Sequence, residues 1–132
     1  MYDGSFEIEK IRAQNEVLES DVAQLEIDLA EAQGQLIGVG QVWQDVKASR
    51  STATSYQNTT GRSIGWQITF TDGSSGALAQ VSEDNSTWFT FLGRSGSHGF
   101  RYGTFILIPP NHYYRINTSA DMGVVSTWQE LR

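Results

Sequence analysis

The sequence predicts a mainly β protein in which an N-terminal helix of a parallel coiled coil precedes an antiparallel β-sandwich of jelly-roll type. Up to about residue 36, apolar residues recur at alternating steps of three and four among acidic side chains. Beyond the stretch LIGVGQVWQDV at 36–46, short runs of aromatic and β-branched residues alternate with glycine-rich turns. A small β-barrel is the alternative for this second part.

The first part is predicted to be a stalk over residues 1–38. A heptad assignment places apolar side chains at eight of the nine seam positions, the exception being Asn15. The seam consists of Ile8, Ile11, Asn15, Leu18, Val22, Leu25, Leu29, Ala32 and Leu36. A stripe this narrow favours association with other copies over packing of the helix on its own head, which requires a wider apolar face. Branched residues at a, leucine at d and Asn15 favour two strands, whereas association of the heads would impose three.

The second part, residues 39–132, is predicted to be the head. Gly34, Gly38 and Gly40 supply the backbone freedom that ends the helix. Eight strands are then expected at 41–46, 54–60, 64–70, 77–83, 87–92, 101–110, 112–117 and 124–131, separated by turn sequences such as TDGSSG and EDNS. This spacing, without a second helix, is typical of a sandwich.

Composition excludes several classes of protein. The net charge of −6 divides into −7 for residues 1–38 and +1 for the remainder, so no broad basic surface exists and nucleic acid is not an expected partner. No apolar run approaches the roughly 20 residues of a membrane span, and the start MYDGSFEIEK lacks the features of a signal peptide, so membrane insertion is not expected. The absence of cysteine excludes disulfides and thiolate metal sites.

The sequence bears on the placement of large apolar residues at three places in the head. In FILIPP, residues 105–108 are apolar on both faces, so either all four lie between the sheets or one face meets another subunit. Tyr113 and Tyr114 are expected on opposite faces of a strand. Trp43, Trp66 and Trp128 are expected in the core.

No catalytic constellation is apparent, and we expect neither an enzyme nor a cofactor or metal site. The two histidines, His98 and His112, lie in different segments, and no HExxH pattern is present. The segment GRSGS at 93–97 does not have the residue order of a serine nucleophile elbow. Three of the six carboxylates of the head, those of Asp72, Asp84 and Asp121, occur in turn sequences, where aspartate is common for structural reasons.

The head resembles a known family in an ordered set of motifs. The run GVGQVWQDVKASR, then TSYQNTTGRSI, then FILIPPNHYYRI and a terminal STWQELR are similar to the C-terminal domain at the tips of phage and prophage tail fibres. The resemblance covers about residues 38–132. It implies a coiled-coil stalk, a homotrimer, location in the virion at the fibre tip, contact with other tail proteins, and attachment to a host cell-surface glycan or outer-membrane receptor. The segment GRSGSHGFRYG departs from common versions, so the identity of the receptor does not transfer.

Two groups of residues are the candidates for receptor binding. Aromatic faces stack on sugar rings, while carboxylates, amides and arginines hydrogen-bond to hydroxyl groups or pair with acidic sugars. The first group is Glu83, Asp84, Asn85 and Trp88, and the second is Arg94, His98, Arg101 and Tyr102. The competing hypothesis is a structural module that trimerises or caps a fibre without a receptor site of its own.

Overall fold

The computed structural model describes residues 4–71, 76–93 and 102–132, with the backbone alone described for Tyr102. The chain folds as two units, residues 1–35 and residues 36–132. Arg94, His98 and Arg101, which belong to the second group of receptor candidates, lie outside the described residues.

The first unit is the helix α1, Ser5–Gln35. Its 31 residues contain no proline, and Glu7 in the first turn interacts favourably with the positive end of the helix dipole. No residue of α1 is buried. The helix ends one residue before Leu36, so this last predicted seam position lies in the following turn rather than on the helix. Gly38 and Gly40 then adopt positive φ values of 87° and 68°, which only glycine adopts without strain.

The second unit contains eight strands in two antiparallel four-stranded sheets. Sheet A has the order β1 (Trp43–Asp45), β8 (Val125–Leu131), β3 (Ile64–Phe70) and β6 (Tyr102–Ile108). Sheet B has the order β2 (Tyr56–Gln57), β7 (Tyr113–Asn117), β4 (Leu78–Ser82) and β5 (Phe89–Gly93). The described strands therefore form two open sheets and not one closed barrel. Short 3-10 turns at Lys47–Ser49 and Met122–Val124 precede β2 and β8.

One hydrophobic core fills the space between the two sheets. Alternate residues of β3 lie in it, and the central Trp66 is fully buried. Its ring centroid lies 5.1 Å from that of Tyr114, 5.4 Å from that of Trp128 and 5.5 Å from that of Phe91. The contacts with Tyr114 and Phe91 join sheet A to sheet B, whereas the contact with Trp128 lies within sheet A; aromatic pairs at such distances stabilise beyond their buried area.

The eight predicted strands are confirmed; six lie within the predicted bounds and are shorter, β3 has the predicted bounds, and β5 ends one residue later than predicted. Trp66 and Trp128 are core residues, as predicted, and Tyr114 is buried while Tyr113 is on the opposite face. The prediction for Trp43 was wrong, because its side chain is 53% exposed on the outer face of β1. Its register partner on β8 is Leu131, which lies next to the inward-facing Glu130, so strand alternation directs Trp43 away from the core.

Candidate binding surfaces

The turn between β4 and β5 contains the first group of receptor candidates, and Asp84 organises it. The Asp84 carboxylate accepts hydrogen bonds from the backbone N–H groups of Thr87 at 2.7 Å and Ser86 at 2.9 Å, and from the Ser82 hydroxyl at 3.0 Å. These bonds, led by those from Thr87 and Ser86, hold the pKa of Asp84 far below its ordinary value. The carboxylate therefore maintains the shape of the turn.

Asn85 also has a structural part in this turn. It adopts a positive φ of 61°, a conformation that asparagine tolerates better than most residues. Its side-chain oxygen accepts a hydrogen bond from the hydroxyl of Ser55, which precedes β2. This bond connects two segments 30 residues apart in the chain. Glu83, in contrast, is an exposed side chain at the start of the turn.

Trp88 follows the turn and lies against an arginine that the sequence did not single out. The Arg115 guanidinium carbon is 3.9 Å from the Trp88 ring centroid, which is a cation–π contact. Arg115 Nε donates to Gln80 Oε1 at 2.9 Å, and Gln80 Nε2 donates to Thr90 Oγ1 at 3.0 Å. We call Gln80, Trp88, Thr90 and Arg115 the polar face of sheet B. Its members come from three segments, β4, β7 and the start of β5.

The sequence predicts on which face of its strand Arg115 lies, but not which residues lie beside it. Alternation in HYYRIN puts Arg115 on the face opposite the buried Tyr114. Only the strand order β7-β4-β5 brings it next to Gln80 and Trp88. In the second group of candidates, the backbone of Tyr102 begins β6 and pairs with Phe70.

The outer face of sheet A has a different character. We call Trp43, Phe105, Leu107 and Leu131 its apolar patch. Trp43 is 53% exposed, Phe105 49% and Leu107 46%, and the rings of Trp43 and Phe105 meet edge to face with centroids 6.0 Å apart. The Phe105 ring lies over Gly65, where a Cβ atom would stand 2.6 Å from the ring. Glycine at this position lets the ring lie on the sheet backbone.

Helix α1 exposes the whole predicted seam. Leu25 is 65% exposed, Leu18 60% and Leu29 59%, and Ile8, Ile11, Asn15, Val22 and Ala32 are exposed as well. Exposed apolar residues at single positions are ordinary, but a continuous stripe over a whole helix indicates an interaction surface.

A buried ion pair joins β8 to the segment after β1. Arg50 Nη2 contacts the fully buried Glu130 carboxylate at 2.6 Å, and Nε donates to the same carboxylate at 3.1 Å. The Tyr114 hydroxyl donates to Glu130 from the opposite sheet. Burial lowers the pKa of Arg50, but attraction by Glu130 and Tyr114 outweighs it, so the pKa is raised. Burial, together with Glu130, raises the pKa of Tyr114.

Glu130 is therefore committed to holding the head together. Its two oxygens accept hydrogen bonds from Arg50 and Tyr114, and Arg132 lies 3.4 Å away. Within the described ranges, no three histidine, aspartate or glutamate side chains form a group suited to a metal ion. In that same part of the chain, no helix is long and apolar enough to span a membrane.

Comparisons of the chain with family models, with curated proteins and with solved structures found no match.

Proposed function

We propose that this protein is the receptor-binding tip of a phage tail fibre, with α1 as the end of a parallel coiled-coil stalk and the head as a jelly-roll-like sandwich. The observation that carries the proposal is the heptad stripe, exposed along the whole of a helix that has no buried residue. The motifs shared with tail-fibre tips, described above, support it independently. The assembly is a homotrimer located in the virion, in contact with other tail proteins.

The stripe supports self-association because an isolated helix of this length has no other way to bury it. At 1.5 Å per residue α1 is about 46 Å long, and full burial of each leucine or isoleucine is favourable by about 1.5–3 kcal/mol. Parallel copies in register supply identical stripes to one another. Three copies, rather than the two that Asn15 favours, follow from the resemblance to tail-fibre tips. Light scattering of the full chain tests the number directly.

The polar face of sheet B and the adjoining turn are the proposed receptor surface, and its ligand class is a surface polysaccharide. Trp88 provides an aromatic edge, Arg115 a guanidinium that pairs with acidic groups, and Thr90 a hydroxyl group, while the buried Gln80 holds Arg115 and Thr90 in place. Mutual hydrogen bonds hold these side chains in place before a ligand arrives, which lowers the entropy cost of binding. Three heads on one stalk add avidity to weak single-site contacts.

Adsorption of the full chain to host cells tests the receptor assignment. Trp88→Ala and, separately, Arg115→Ala are expected to lower adsorption at least about tenfold while the trimer mass stays unchanged. Gln44→Ala, an exposed position on sheet A, is the matched control and is expected to adsorb normally.

A fibre that adsorbs equally well without its head would contradict the receptor assignment. The head would then be the structural trimerisation or capping module of the competing hypothesis. We assign no enzymatic activity, and release of products from a host polysaccharide by the purified protein would overturn that part of the proposal.

A further inference from the structure

Strand β6 presents apolar side chains on both faces. Ile108 is fully buried and Ile106 packs against the core, whereas Phe105 and Leu107 point outward and remain about half exposed. The four apolar residues of FILIPP therefore do not all lie between the sheets. The strand has one face in the core and one apolar face that this chain leaves about half exposed. This outward face is the centre of the apolar patch.

The patch is continuous across sheet A. Register pairing aligns Trp43, Leu131, Gly65 and Leu107 in one row across all four strands, and the Phe105 ring covers Gly65 from the neighbouring row. A whole aromatic side chain has a surface of about 150–250 Å². The exposed parts of the four side chains of the apolar patch therefore add up to roughly 300 Å². This is the size of the largest apolar patch on a typical monomeric protein, and such a patch is often functional.

Charge and hydrogen bonding on this face also suit a covered surface. Among the described outward residues of sheet A, Asp45 on the edge strand β1 is the one charged side chain. Beside the patch, Thr127 donates to Gln67 at 3.1 Å and Gln67 donates to Thr69 at 3.0 Å. These polar groups are satisfied within the sheet, so covering them costs little. The centres of protein interfaces are depleted of charge in the same way.

The edge of β6 that has no strand partner among the described residues is a further reason for cover. Within the described part of the chain this seven-residue strand pairs with β3 alone. From Gly103 to Ile108 it contains no charged residue or proline, the features that normally keep an edge strand from pairing with other chains. Pro109 and Pro110 follow only after its end.

We propose that the apolar patch is the contact between heads, facing the symmetry axis, with the same patch of further copies of this chain as its occupant. The inference rests on the self-association proposed above and specifies the surface that the heads use. A stable interface buries about 800 Å² per partner, more than the patch supplies alone. Copies already held by the stalk meet at an effective concentration near millimolar, where a small patch suffices.

A sugar is a poorer occupant of this surface. Leu107 and Leu131 carry no group that could hydrogen-bond to hydroxyls. The rings of Trp43 and Phe105 are inclined by 67°, so they do not form one flat platform for a sugar ring. Contact with the same patch of another copy, through interdigitating aliphatic and aromatic side chains, suits this uneven surface better.

Cross-linking through an introduced cysteine tests the proposal, because the natural chain contains none. Leu107→Cys in the full chain, treated with a short bis-maleimide, is expected to give covalently joined copies in most chains. Phe89→Cys is the matched control: Phe89 is 64% exposed on β5, the edge strand of sheet B, and is expected to remain unjoined. Equal yields from the two variants would overturn the proposal.

Dissociation on dilution provides a second measurement. Leu107→Gln is expected to raise the concentration at which the assembly dissociates at least about tenfold, and Phe89→Gln to leave it unchanged. A trimer by light scattering in which Leu107→Cys does not cross-link would refute the head contact and leave the proposed fibre tip intact. A single chain at micromolar concentration would refute both. Protection of Leu107→Cys by host polysaccharide would assign the patch to the receptor instead.

Discussion

Helix α1 and the β head differ in how far a single chain buries their apolar side chains. Ile68 in the head is completely buried, while Leu25 in the helix is 65% exposed, although both are large aliphatic residues in regular secondary structure. The head closes its core within one chain, because its two sheets cover each other. A lone helix has no second layer, so in the proposed assembly other copies of the chain cover its apolar stripe. Stability of the head is therefore expected to be a property of one chain, and stability of the stalk a property of concentration.

The largest expected effect concerns the buried ion pair of the head. Replacement of Arg50 by methionine leaves the buried Glu130 carboxylate without its closer cationic partner and with Arg132 alone at 3.4 Å, so we expect the free energy of unfolding to fall by about 3–5 kcal/mol. Urea denaturation followed by tryptophan fluorescence measures this loss, and the loss should not depend on protein concentration.

A double variant controls for the packing of the arginine stem. Arg50→Met combined with Glu130→Gln is expected to recover part of the lost stability, because no charged carboxylate is then left in the core and the remaining Arg132 is partly exposed to solvent. A loss below about 1 kcal/mol for Arg50→Met alone would show that the pair has little role in the stability of the head.

Alanine variants of Ile68 and Leu25 test the difference between the head and the helix most directly. Ile68→Ala removes a fully buried side chain, so the free energy of unfolding of the head should fall by about 2–5 kcal/mol at every concentration. Leu25→Ala should leave the unfolding of the head unchanged and weaken association of the chains at least about tenfold, as measured by light scattering on dilution.

Two results would contradict this difference between the head and the helix. If Leu25→Ala had no effect on association, the exposed stripe would not be the surface that joins the copies. If Ile68→Ala altered association without destabilising the head, the core would not be independent of the partner chains.

A smaller effect is expected from Asp84, whose turn belongs to the head but lies at its surface. Its pKa is lowered in the folded state, so the folded protein binds fewer protons at this group than the unfolded chain does. Its contribution to stability is fully present above the ordinary aspartate pKa of about 4 and is lost as pH falls through the lower folded value. The wild-type protein should therefore exceed Asp84→Asn in stability at pH 6, and this advantage should shrink below about pH 4. Urea denaturation at a series of pH values measures it. A difference between wild type and variant that stays constant from pH 7 to pH 3 would rule out the ionised carboxylate as its source.

The local features of this protein were predictable from sequence to different extents. The bounds of α1 and the existence of eight strands follow from periodicity and turn residues, which act over a few neighbouring positions. The role of Asp84 as a turn residue is equally local. The error at Trp43 has a tertiary cause: a large aromatic residue is usually buried, but β1 is an edge strand, and no described strand or helix covers its outer face.

The sequence by itself determined which segments are helical or extended and which residues share a face, because hydrogen bonding and side-chain alternation are set within each segment. Only the tertiary structure decided which of two apolar faces of β6 enters the core, and which distant side chains meet. The pairs Arg50 and Glu130, 80 residues apart, and Arg115 and Trp88 exist because strand order brings their segments together. Strand order depends on the packing of all eight strands around one core, and no short stretch of sequence contains that information.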